Sequence, residues 1–329
     1  MDKVAAWVSA LKHSGANYQP ASETQSQCRQ WLQQAGHSLL VPGDPTYPTR
    51  LMELSNPPAG LFCVGNPAHL SEPQLAIVGS RNATRGGIEN ATAFAHALAK
   101  AGLVITSGLA LGIDAAAHRG ALQAGPSIAV LGCGLDRIYP NAHRALAQQI
   151  SDHGVLVSEY PPNTAPAKHH FPERNRIIAA LSLGTLVMEA ASRSGALITA
   201  RLAGEVGREV FAVPGSIHNP LARGCHRLLR DGATLVESVD DVLQQLAPGL
   251  STYLNTGPQK PESEQPSNAL LDQPDYRKLI SALSFDPVGV DELGRRTGLT
   301  SAELSSMLLI LELEGLVEAL PGGQYSRLS

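Results

Sequence analysis

Leu75-Ala-Ile-Val-Gly-Ser-Arg81 decides the fold: a short apolar run, Leu75–Val78, stops at a glycine turn that carries an arginine. The pattern recurs. Leu103–Thr106 leads into Ser107-Gly108-Leu109, Ile128–Leu131 into Gly132-Cys133-Gly134, and Val210–Val213 into Pro214-Gly215-Ser216. Ser194-Gly195-Ala196 follows Thr185–Met188 after a longer connection. Most of these turns lead into a segment with helical spacing. Strand, glycine turn and helix in repetition is the signature of a parallel sheet covered by helices. The runs are continuously apolar rather than alternating, as strands buried on both faces are. Such sheets bind ligands at the carboxyl ends of their strands, so the reading predicts an edge of bare backbone N–H groups suited to an anion.

The rest of the chain arranges itself around this core. Residues 1–40 carry weak helical spacing (Trp7, Val8, Leu11, then Trp31 and Leu32) and read as a small helical appendage. A Pro- and Gly-rich lead-in follows, with Tyr47, Leu51, Leu54, Leu61 and Phe62 seeking burial. With the sheet it makes a domain over 41–246. Ile88, Ala91, Phe94, Ala95 and Leu98 share one face of a helix over about 87–101. Asp114 reads as the N-cap of the next helix, over 114–124. Residues 247–269 turn to Pro, Ser, Gln, Glu, Asn and Gly and read as a flexible linker. From 270 to 329, three helices and a small hairpin around Pro321-Gly322-Gly323 predict a winged helix-turn-helix.

Bulk properties bound the function. The hydrophobic share of 43% supports a packed core in a chain of 329 residues, long enough for about two domains. Four dispersed cysteines, Cys28, Cys63, Cys133 and Cys225, make no CxxC pair and argue against zinc and disulfide scaffolds. No signal-peptide core and no run near the roughly 20 apolar residues of a membrane span is visible, which points to the cytoplasm. The net charge is -4, but residues 75–245 hold 15 Lys and Arg against 13 Asp and Glu, and 8 of the 11 histidines. A local basic cleft there is allowed.

The candidate chemistry concentrates at strand ends. Gly79-Ser80-Arg81 is neither GxGxxG nor a Walker loop, yet a glycine turn at a helix start with a fixed arginine is an anion site. A plain turn with a solvated arginine is the alternative. Lys168-His-His-Phe-Pro-Glu-Arg-Asn-Arg176 packs cations, an aromatic ring and Asn175 into one loop, a combination suited to single-stranded nucleic acid. Arg174 and Arg176 cannot share one helical face, so one reaches the ligand while the other pairs with an acid such as Glu189 or Glu173. His169 and His170 read as solvated loop residues. Ser194-Gly195 and Thr199 open a helix N-terminus that serves capping or phosphate contact equally well. Asp114 and His118 lie one turn apart, as an acid–base pair or, more simply, for capping and packing. Glu159 and Glu189 end strands and are the two plausible catalytic carboxylates; no Ser/His/Asp order stands out. The last helix, from Ser301, holds no Lys or Arg, and residues 270–329 carry 5 basic against 9 acidic side chains. That module is expected to contact protein, with any DNA role limited to Arg295, Arg296 and Arg327.

Ala76–Arg81, Ser107-Gly-Leu-Ala-Leu-Gly-Ile-Asp-Ala-Ala-Ala-His118, Phe171–Ile177 and Ser194–Ala200 together resemble the DNA processing protein A (DprA/Smf) family, as does the lead-in Tyr47-Pro48…Pro57-Pro58…Gly65. The likeness spans about 45–240 and the terminal winged helix. It implies a Rossmann-like, mainly parallel sheet with helices on both faces, and a non-enzymatic single-stranded-DNA-binding protein. It further implies a homodimer that protects incoming DNA and helps load RecA recombinase in natural transformation, without metal or cofactor. The family's pocket falls here on Arg81, Lys168, Phe171 and Arg174 to Arg176. With the strand-end turns, the candidate DNA-binding set is Ser80, Arg81, Ser107, Gly108, Lys168, Phe171, Arg174, Asn175, Arg176, Ser194 and Gly195. Two departures stand out: His226 where the family usually has Asn, and an N-terminal helical domain reduced to 1–40. A rival is a nucleotide-phosphate hydrolase of the lysine-decarboxylase-like fold, suggested by Gly184-Thr185…Glu189 beside Arg174, although its PGGxGT motif is missing.

Overall fold

In the computed structural model, which describes residues 2–13, 18–254, 274–283, 288–313, 317–320 and 324–327, the chain forms two compact units, Met1–Thr256 and Gly257–Ser329. The first opens with α1 (Lys3–His13), α2 (Ser22–Trp31), β1 (His37–Leu40) and β2 (Leu61–Gly65). The repeating part then runs β3 (Gln74–Val78), α3 (Arg85–Lys100), β4 (Val104–Ser107), α4 (Ile113–Ala121), β5 (Ser127–Leu131), α5 (Arg144–His153) and β6 (Val155–Ser158). It continues with α6 (His170–Leu181), β7 (Gly184–Val187), α7 (Gly195–Glu205), β8 (Glu209–Ala212), α8 (Arg223–Arg230), β9 (Thr234–Leu235) and α9 (Val239–Leu254).

The sheet has nine strands in the order β1-β2-β6-β5-β4-β3-β7-β8-β9. Neighbours from β6 across to β9 pair in parallel, while β2 is antiparallel to β6 and β1 to β2. Every residue of β3, β4, β5, β6 and β7 is buried, as continuous apolar strands require. Side chains alternate between faces. Leu75 and Ile77 pack with Leu98, Ile113 and Leu246 in one layer. Ala76 and Val78 join Ile177, Ala200 and Cys225 in the other, where the lead-in residues Tyr47, Leu51 and Leu54 also sit. From β3 the chain builds outward through β4, β5 and β6, then crosses by α6 to place β7 on the opposite side of β3. Strand order reverses there, and a crevice opens outside the strand ends at such a reversal.

The first 40 residues are more than an appendage. Trp7 and Trp31 set their rings edge-on to Phe62 of β2 at 5.2 and 5.7 Å, and a third core layer forms with Leu131, Ile150 and Leu156. Two large aromatics cover one buried ring, which explains why so weak a helical pattern is held. Arg29 adds a bridge to Asp2 at 2.8 Å. The linker reading of 247–269 also changes: α9 carries on to Leu254, with Pro248 inside it, and 255–269 lies outside the described residues. Asp114 is not an N-cap. It is the second residue of α4, and its carboxylate turns back to the preceding loop.

The second unit comprises α10 (Pro274–Ala282), β10 (Val288–Gly289), α11 (Val290–Thr297), α12 (Ser301–Leu313), β11 (Val317–Leu320) and β12 (Gln324–Arg327). β12 pairs antiparallel with both β10 and β11. Leu279, Leu293, Leu304, Leu308, Leu311 and Val317 form its core. This is the expected winged helix; the hairpin tip 321–323 lies outside the described residues.

Truncating a fully packed tryptophan costs about 3–5 kcal/mol. Trp7→Ala is therefore expected to lower the thermal midpoint of the first unit markedly. An unchanged melting curve would return residues 1–40 to the status of an appendage.

Candidate nucleic-acid interface

The crevice at the strand reversal is a cavity of about 670 Å³, lined by the turn after β3, the loop before α4, the first turns of α6 and the start of α7. Gly79 lets that first turn close. A Cβ there would meet Ile113 Cγ1 at 2.6 Å. Glu189, just past β7, then fastens the turn: its carbonyl accepts from Ser80 N at 2.8 Å, and its carboxylate accepts from Thr84 N and Thr84 Oγ1. Thr84 in turn caps α3 through Gly87 N.

Arg174 occupies the floor. It is only 4% exposed, its Nε is buried without a hydrogen-bond partner, and no hydrogen bond from its guanidinium is formed among the described residues. Burial pulls its pKa down to about 10, so it stays a cation at neutral pH. Gly108 makes the room: a Cβ on it would fall 1.6 Å from Arg174 Nη1. Asp114 lies beside the pair, with Oδ2 accepting from Gly108 N at 3.1 Å and Ala110 N at 3.3 Å. Burial raises the Asp114 pKa, while Arg174, the two amides and Arg81 oppose that rise. Between the two amides, Leu109 takes a left-handed φ of 59°, and its carbonyl accepts from His143 Nδ1 at 2.8 Å. A buried guanidinium without a hydrogen-bond partner, facing a cavity, has the charge and the donors to hold an anion.

The rim carries the rest. Arg81 and Lys168 are exposed. The Arg81 guanidinium lies 5.4 Å from the centre of the Phe171 ring, and Tyr139 stands 5.6 Å from the same ring. Tyr139 is 48% exposed and extends the aromatic platform. Sequence reasoning left it in a turn; an aromatic before Pro140 at a strand-end loop was the signal. Arg193, also exposed, was missed in the same way although it precedes the Ser194 turn.

Of the predicted residues, Ser80, Arg81, Lys168, Phe171, Arg174, Asn175, Ser194 and Gly195 all line this cavity. Three do not. Ser107 is fully buried, its hydroxyl donating to Ile77 O at 2.6 Å. Gly108 acts through space rather than through its N–H, which Asp114 uses. Arg176 points to the other side of α6, where its Nη2 donates to both carboxylate oxygens of Glu159 at 2.6 Å, beside Tyr160 and Trp7. The acid it takes is thus neither Glu189 nor Glu173; Glu173 accepts instead from Tyr160 Oη. The expected row of bare amides is also reduced, because Ser80, Gly108 and Ala110 donate internally. Ser194 Oγ caps α7 by accepting from Ala196 N. His170 is no solvated loop residue: it starts α6, bonds Gly132 O at 3.1 Å and stacks on Tyr160 at 4.0 Å. His118 is fully buried against Ser127 Oγ, and burial drives its pKa down to about 3, so it forms no acid–base pair with Asp114. His226 Nε2 bonds Gly215 O at 2.9 Å, off the cavity lining. No cluster of three metal-ligating side chains occurs among the described residues, and no described helix is long and apolar enough to cross a membrane.

Residues 38–247 match the family model described as DNA recombination-mediator protein A, and residues 258–323 that of the DprA winged helix domain. The chain is 43% identical to Protein Smf of Escherichia coli over 304 residues, covering 91% of this chain and 79% of that protein. It is 48% identical over 203 residues to the DNA processing protein DprA of Streptococcus pneumoniae, covering 61% of this chain and 72% of that one. The X-ray structure of the Streptococcus pneumoniae protein superposes with a TM-score of 0.65 at 38% identity, over 74% of this chain and 92% of that one. A Helicobacter pylori DNA processing protein A, solved for its single-stranded DNA binding mode, gives 0.59 at 32% identity, over 65% and 96%.

Arg176 of α6 and Arg81 of the turn after β3 should separate cleanly. Arg176→Met leaves Glu159 part-buried and unpaired and should cost about 1–3 kcal/mol of stability. Arg81→Met, on the exposed rim, should change stability by no more than about 0.5 kcal/mol. Equal effects in denaturant titrations would contradict these assignments.

Proposed function

The chain belongs to the DNA recombination-mediator protein A family, and from that premise we propose that it binds single-stranded DNA in the cavity floored by Arg174. The observation that carries the reading is that one buried guanidinium with no hydrogen-bond partner lies under a rim of Arg81, Lys168 and Arg193 and a Phe171–Tyr139 platform. Phosphates take the cations, and bases take the rings. The pairing suits an unwound strand, because stacking needs a base free of its partner, whereas a duplex offers mainly its backbone. Asn175, whose Nδ2 reaches Gly195 O at 3.5 Å, links the start of α7 to α6.

On this reading the protein acts by holding a strand rather than by catalysing a reaction. Both strand-end carboxylates support that, since Glu159 is occupied by Arg176 and Glu189 by Thr84. The bound strand is protected and passed to RecA recombinase during natural transformation in the cytoplasm, a role drawn from the family resemblance. One cavity spans few nucleotides, so a homodimer would raise the effective affinity for a longer strand. The winged helix fits a protein contact. Arg295 and Arg296 both pair with Glu292, at 2.7 and 2.9 Å, and α12 offers no cation.

Fluorescence anisotropy with single-stranded and duplex oligonucleotides across salt concentrations tests this. Lys168→Ala should lessen the salt slope by roughly 0.7, the share of one single-strand phosphate. Phe171→Ala should cost about 1–3 kcal/mol of single-strand affinity with little change in slope. Duplex binding as tight as single-strand binding, or an Arg81→Glu variant with unaltered affinity and slope, would overturn the assignment.

A further inference from the structure

Asp114 has no part in a simple cationic grip, yet among the described residues it is the one acidic side chain lining the cavity. It is 7% exposed and held in place by two backbone amides. Arg174, at 4%, is the buried cation opposite it. Arg81, Lys168 and Arg193 are exposed, so water and salt screen them. In the depth of the cavity, therefore, the Asp114 carboxyl group, fixed by its two amides, stands against the Arg174 cation. An anion that reaches the Arg174 guanidinium also enters the field of Asp114, where the surroundings screen little.

The cost to that anion depends on its charge. A phosphodiester inside a strand carries one negative charge. A terminal phosphate or a nucleoside monophosphate carries about 1.5 to 2 at neutral pH, since its second pKa is about 6. We propose that Asp114 is a specificity-determining residue that admits chain-internal phosphodiesters to Arg174 and disfavours phosphomonoesters. The inference rests on the strand-binding reading above and narrows its ligand class. It gives the carboxylate a use: the cavity takes hold of a strand anywhere along its length, and free nucleotides do not fill it. It also sets this site apart from one built to hydrolyse nucleoside monophosphates, which must welcome the dianion.

A competition assay tests the idea. A fluorescent hexathymidylate is bound to the full chain and displaced either by thymidine 5′-monophosphate or by its methyl ester, which lacks the second charge and adds one methyl group. The parent protein should be displaced by the methyl ester at about fivefold or more lower concentration. Asp114→Asn, which keeps an oxygen for the Gly108 and Ala110 amides, should lose that preference or reverse it, and Asp114→Glu should retain it. A parent protein displaced equally well or better by the monophosphate overturns the proposal, whether or not the variants fold, and so does an Asp114→Asn ratio identical to the parent's. Failure of the hexathymidylate to bind at all would instead sink the strand-binding reading on which the proposal stands.

Discussion

Everything at the strand ends is arranged around a buried guanidinium. Arg174 gives up hydration without gaining a hydrogen bond from its neighbours, a state that must be stabilised elsewhere in the fold. The packing on which it rests comes from α6, whose Ile177, Ile178 and Leu181 are locked against the sheet. Asp114 supplies a nearby opposite charge, and Gly108 supplies the space. These come from two strand–helix units, Gly108 and Asp114 from the connection of β4 to α4 and the packing from α6. The turn after β4, the start of α4 and the start of α6 must therefore all be in place before the cation can sit where it does.

The arrangement shows why the site lies at the reversal of strand order rather than at another strand end. Only beside β3 do the turns after β3, β4 and β7 converge with room between them. Glu189 and Asp114 perform matching tasks there. On the β3 side Glu189 accepts from Thr84 N with its carboxylate and from Ser80 N with its carbonyl; on the β4 side the Asp114 carboxylate accepts from Gly108 N and Ala110 N. The turns are rigid because their amides are used internally. In the proposed grip, anion binding then falls to side chains: Arg174 on the floor, with Arg81, Lys168 and Arg193 on the rim.

Much of this was legible in the sequence. Apolar runs ending in glycine gave the parallel sheet, and a loop of cations around Phe171 gave one wall of the cavity. What stayed hidden depended on partners distant in the chain. Arg174 and Arg176 are equivalent by spacing, and only the fold shows that Glu159 takes the second. Gly108 has the look of an amide donor, but its role is steric and becomes visible once Arg174 is placed against it. Tyr139 and Arg193 join the rim from loops whose course no local pattern dictates. Trp7 and Trp31 sit in segments of weak periodicity; their burial against Phe62 is a tertiary fact that outweighs local propensity.

The most direct measurement is a crystal structure of the full chain with a short single-stranded oligonucleotide. The account predicts a phosphodiester oxygen within hydrogen-bond distance of the Arg174 guanidinium and a base stacked on the Phe171–Tyr139 platform. A strand lying elsewhere, with Arg174 still without a hydrogen bond, would contradict it.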